Sequence, residues 1–118
     1  MFNFEKLDVW QEAIDFADLV YNYPRHFPAD ERFGLTNQMR RAAVSISSNI
    51  AEGTSRMSQN DFGRFIEIAT GSVFEVTSQA FIGHRQGFLN EEKFRATYTA
   101  AEEVGRMLSG LRKSLIAK

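Results

Sequence analysis

Apolar residues recur at intervals of three and four in four separate stretches of this chain, and no stretch alternates apolar with polar long enough to make a convincing strand. That periodicity is the strongest constraint on the fold. It gives each of four helices one apolar stripe, which only the other helices can bury. The first helix is expected over about 7–23, with Leu7, Trp10, Ala13, Ile14, Ala17, Val20 and Tyr21 facing inward. Pro24 stops it, and Pro28 suits the opening turn of a second helix over about 28–52, since a missing N–H costs nothing there. The second stripe is Leu35, Met39, Ala42, Ala43, Ile46 and Ile50, and Gly53 follows as a left-handed C-cap. Ser58 with Asp61 reads as a capping box opening a third helix over about 58–86, with Phe62, Phe65, Ile66, Ala69, Val73, Val76, Ala80 and Gly83 inward. Gly87 ends that helix, and Asn90 caps a fourth over about 91–117, whose inward residues are Phe94, Tyr98, Ala101, Val104, Gly105, Leu108, Leu111 and Leu115. Short connections force neighbours to run antiparallel, so the expected fold is all-α, an antiparallel up-down-up-down four-helix bundle.

A chain of 118 residues with two prolines fits one domain, 1–118, with a core of its own. It has no cysteine, which excludes disulfides, thiolate metal sites and a cysteine nucleophile, and fits a reducing compartment. No apolar run approaches the roughly 20 residues that span a bilayer, so a cytoplasmic location without a membrane role is expected. Net charge is −1, but it is unevenly spread. Residues 1–18 carry Glu5, Asp8, Glu12, Asp15 and Asp18 against Lys6 alone, while 106–118 carry Arg106, Arg112, Lys113 and Lys118 with no acid.

Catalytic signatures are scarce. His26 and His84 lack metal-ligand spacing, Glu67 and Glu75 lack the Glu-x-x-His companion of a di-metal bundle, and no nucleotide-binding or nucleophile-elbow motif occurs. No catalytic residue, metal or cofactor is expected. The residues that ask for another explanation lie outside the core stripes. On the second helix Gln38, Arg41, Ser45, Asn49 and Glu52 form a polar stripe, read as a seam that fixes helix register. Its alternative is a small-ligand or enzymatic site around Asn49 and Glu52. Phe74 and Phe81, seven apart on the third helix, sit about 100° off its core stripe and need another burial partner; with the small face Val44, Ser47 and Ala51 they are the expected subunit interface. Arg40 and Arg41 point to different sides of one helix and so serve two surfaces.

The segments FEKLDVWQEA at 4–13, FGLTNQMRRAAVSISSNIAEGTSR at 33–56 and DFGRFIEIATGSVFE at 61–75 closely resemble the "four helix bundle protein" family, first described as proteins encoded by intervening sequences of bacterial large-subunit ribosomal RNA genes. The resemblance implies a bacterial cytosolic protein, a left-handed bundle and a cyclic homopentamer. The accessory protein of diversity-generating retroelements shares this architecture and is a basic pentamer that binds nucleic acid and a reverse transcriptase. Two departures stand out: this chain is near neutral, and Ser47 stands where many relatives carry Pro, which is expected to leave the second helix straighter. The functional expectation is a non-enzymatic, self-assembling scaffold or adaptor contacting RNA, DNA or a nucleic-acid enzyme. Its candidate phosphate contacts are Arg40, Arg41, Arg56, Arg64, Arg112 and Lys113.

Overall fold

The computed structural model describes residues 1–116. Its helices are α1 (Asp8–Asn22), α2 (Leu35–Gly53), α3 (Gln59–Arg85) and α4 (Glu91–Ile116), with short 3-10 turns at Asn3–Lys6, Tyr23–His26 and Ala29–Glu31. No strand occurs among the described residues; Ala117, the expected last residue of the fourth helix, lies outside them. α1 packs on α2 and α4, α2 on α3, and α3 on α4, the square order of an up-down-up-down bundle. The body measures 46 × 21 × 21 Å.

Burial follows the expected stripe most closely on α2, where Leu35, Met39, Ala42, Ala43, Ile46 and Ile50 are all in the core. On α1 the stripe is rotated from expectation. Val9, Ala13, Phe16 and Val20 are buried, whereas Ile14 and Tyr21 are exposed and Leu7, Trp10 and Ala17 only flank the core. Two adjacent stripes on α1 are apolar, and the larger Phe16 fills the centre. On α3 and α4 the core admits polar residues that periodicity does not single out: Ser72, Gln79 and Thr97 are buried. Thr97 is tolerated there because its hydroxyl donates to the Lys93 carbonyl one turn back at 2.9 Å. Tyr98, expected inward, keeps its ring partly in solvent, and Phe94 is half-buried.

The connections position the helices. α2 starts at Leu35, not at Pro28: residues 28–34 instead form a 3-10 turn and a bend through Gly34. The Glu31 carboxylate then accepts the Leu35 N–H at 3.1 Å, capping α2 from outside the helix. Phe27, between the two prolines, folds under the end of the bundle against Phe88, with ring centroids 5.6 Å apart. Gly53 is the last residue of α2 and does not adopt the left-handed conformation expected of a C-cap; Gly87, at φ 80°, is the one described residue with positive φ. What Gly53 supplies is room, since a Cβ there would meet Phe62 Cδ1 at 2.8 Å and Phe65 Cβ at 3.0 Å. Ser58 accepts the Asp61 N–H at 3.1 Å to cap α3, and Asn90 accepts the Lys93 N–H at 2.8 Å to cap α4.

Candidate functional site

The polar stripe of α2 divides into two parts. Asn49 donates its amide to the Ser45 carbonyl at 2.8 Å and to the Ser45 hydroxyl at 3.0 Å. The Ser72 hydroxyl of α3 donates to the same Ser45 oxygen at 2.9 Å. This is a hydrogen-bonded seam between α2 and α3, and it fixes their antiparallel register: Ser45 lies level with Ser72. Gln38, Arg41 and Glu52 stay exposed at its margins, and Glu52 pairs with Arg56 at 3.1 Å. With the Asn49 amide committed to Ser45 and the Glu52 carboxylate to Arg56, neither group is presented as a free polar lining. Sequence reasoning missed Ser72; serine one turn before Val76 and three after Ala69, on the flank nearest α2, was the available signal.

The candidate arginines are not gathered into one patch. Arg40 Nη2 donates to the Tyr21 carbonyl in the last turn of α1 at 2.9 Å, and its guanidinium carbon lies 5.1 Å from the Tyr21 ring centre. A cation at the negative end of the α1 dipole is stabilising, so Arg40 staples α2 to α1. Arg56 pairs with Glu52 and lies over the Phe65 ring at 4.4 Å; Arg64 approaches Asp61 at 3.8 Å; Arg112 Nη2 donates to Glu67 across the α3–α4 junction. Arg41 and Lys113 are exposed and form no ion pair among the described residues. The same holds for Arg25, Arg32 and Arg85 around the bundle end built from residues 23–34 and 84–90, which sequence reading did not single out.

Phe74 and Phe81 are 70% and 47% exposed, as their offset from the core stripe demands. They line an open groove of about 850 Å³ between α3 and α4, whose α4 wall is Tyr98, Ala101, Gly105 and Ser109 and whose rim carries Glu102 and Arg106. The Phe81 ring stands edge-on to Phe94 and Tyr98, with centroids 4.9 Å and 6.1 Å away, so its orientation is set before anything binds. At the rim Arg106 donates to Glu103 through both Nε and Nη2, and that bonding holds the Glu103 carboxyl below the usual glutamate value and the guanidinium above its own. The small face of α2 is placed differently from Phe74 and Phe81. Val44 is exposed, Ser47 is buried within the chain with its hydroxyl on the Val44 carbonyl, and Ala51 lines a depression shared with Phe2 and Phe4. Val44 follows Arg40 by one turn and so lies on the α1 flank of α2, close to the exposed Ile14 and Tyr21 of α1.

The molecule is therefore an antiparallel four-helix bundle whose candidate sites are outward faces: an apolar α3–α4 groove on one side and a smaller apolar α1–α2 face on the other. The chain belongs to the 23S rRNA-intervening sequence protein family, whose profile matches residues 5–110. Its fold is similar to the crystal structure of a protein with unknown function from the S23 ribosomal protein family of Bacteroides thetaiotaomicron VPI-5482, with a TM-score of 0.80 and 21% identity over 89% of this chain and 98% of that one. No curated protein matches the sequence. Among the described residues no cluster of three or more His, Asp or Glu side chains could hold a metal ion, and no helix is long and apolar enough to cross a membrane.

Proposed function

We propose that the protein is a non-catalytic, self-assembling adaptor: copies join side by side through their apolar faces, and the assembled surface contacts nucleic acid or an enzyme that acts on it. The observation that carries the assembly is the exposed pair Phe74 and Phe81 in a preformed groove, opposite a second apolar face on the same chain. Groups of large exposed apolar side chains on one side of a small domain mark contact surfaces more often than solvent-facing ones. The pentamer implied by the family resemblance is the expected closed form. Replacing both Phe74 and Phe81 by Ser shifts sedimentation to the monomer; an unchanged oligomer overturns the reading.

For nucleic acid, the support is the set of exposed cations outside ion pairs, Arg41 and Lys113 together with Arg25, Arg32 and Arg85. The family's description names an intervening sequence of 23S rRNA, which makes RNA the first probe. Contacts to phosphate release counterions, so affinity falls steeply as salt rises. A filter-binding titration at low salt is expected to show RNA retention that weakens when Arg41 and Lys113 are both changed to Gln. No retention of RNA or DNA at low salt removes this half of the proposal and leaves a protein partner.

A further inference from the structure

The two apolar faces lie on opposite sides of the bundle, because α1–α2 and α3–α4 are opposite edges of the square. A contact between unlike faces is heterologous, and repeating it by rotation closes a ring or extends a filament. We infer that the α3–α4 groove is filled by the α1–α2 face of a second copy, with Phe74 seated against Val44 of the next copy. This rests on the self-assembly proposed above and specifies which surfaces meet.

Register supports the pairing. The Ser45–Ser72 hydrogen bond sets antiparallel α2 and α3 so that residue 44 is level with residue 73, within one residue rise of Phe74, or about 1.5 Å. A rotation about an axis parallel to the bundle preserves height. Phe74 of one copy therefore arrives at the level of Val44 on the next, where Ser48 and the half-covered Ala51 leave space for a ring.

Area and charge agree with the same pairing. One long side of a body 46 Å by 21 Å offers on the order of 900 Å², near the roughly 800 Å² per partner of a standard stable interface. In this arrangement α4 of one copy lies along α1 of the next. The outward flank of α1 carries Asp15 and Asp18, while that of α4 carries Arg95, Arg106 and Lys113, alongside Glu102. Opposite net charges along the edge select this face over its like-faced alternatives, since α1 against α1 sets acid on acid.

The absence of cysteine makes the test direct. Val44→Cys and Phe74→Cys, combined in one chain and oxidised, are expected to give a ladder of covalent multimers beyond the dimer on a non-reducing gel. The two positions lie on opposite sides of a protomer and cannot bridge within it. Each single variant alone stays monomeric on that gel, and the two singles mixed stop at the dimer. Efficient dimerisation of the Phe74→Cys variant alone shows a like-face contact and overturns the pairing. So does an oligomer that sediments normally but yields no ladder and no mixed dimer. A wild-type chain that sediments as a monomer instead removes the self-assembly reading itself.

Discussion

Substituting Gly53 separates two opposing physical effects that the structure allows to be weighed. Glycine inside a helix costs about 1 kcal/mol relative to alanine, so alanine at a glycine of ordinary helical geometry with open space above it should stabilise the fold. Gly71 on α3 is such a site: a Cβ there meets nothing within 4 Å. Gly53 also has negative φ, so alanine is not strained there, but its Cβ would stand 2.8 Å from Phe62 Cδ1 and 3.0 Å from Phe65 Cβ. The Phe62 ring can swing aside. The Phe65 Cβ cannot move without its backbone, so the start of α3 must shift away from the end of α2. Overpacking of this kind costs about 1–3 kcal/mol, which exceeds the propensity gain. Gly53→Ala is expected to lose about 1 kcal/mol and Gly71→Ala to gain up to about 1, a separation of about 2 kcal/mol. In urea unfolding followed by far-UV circular dichroism at equal protein concentration, the two midpoints should differ by about 1 M. If Gly53→Ala unfolds at or above the midpoint of Gly71→Ala, the close approach of α2 and α3 is not what holds glycine there.

Two further outcomes test the seam and the rim. Ser45→Ala and Ser72→Ala should each cost about 1 kcal/mol, and the double variant less than their sum because one hydrogen bond is lost in all three, as a double-mutant cycle in urea would show. Glu103 has its folded pKa lowered by the hydrogen bonds from Arg106, so its contribution to stability is present above the unfolded pKa and fades as pH falls through the folded one. An NMR titration should place the Glu103 midpoint below the ordinary glutamate value, and Arg106→Gln should raise it; an unmoved midpoint refutes the pairing.

The bundle was readable because α2, α3 and α4 carry stripes of aliphatic residues interrupted by strong stops. On α2 the small Ala42 and Ala43 beside Ile46 left only one side suited to the centre. On α1 the same reasoning chose the wrong phase, since Trp10, Ile14, Ala17 and Tyr21 make as regular a stripe as Val9, Ala13, Phe16 and Val20. Periodicity reports that a face is apolar and not which neighbour covers it. The start of α2 was misplaced because Pro28, Asp30 and Glu31 form a helix-opening pattern; Glu31 does act as the cap, but from a separate turn. The roles of the arginines depended on partners distant in sequence, such as Tyr21 for Arg40 and Glu67 for Arg112, which no local pattern reveals. Phe74 and Phe81 were legible as surface aromatics from angle alone, and the groove they line required the position of α4.

The Ser45–Ser72 bond also governs how this chain can change length. Removing one residue from α3 between Ser72 and Phe81 turns everything beyond it by about 100° and draws it back about 1.5 Å, carrying Phe81 out of the groove and Gly83 away from the Phe27 plug. The same loss in 54–58, where Met57 stands fully in solvent, shifts no side chain from one face to another. Insertions, tags and natural length variation are therefore accommodated in the connection at 54–58, while the helices behave as rulers of fixed graduation.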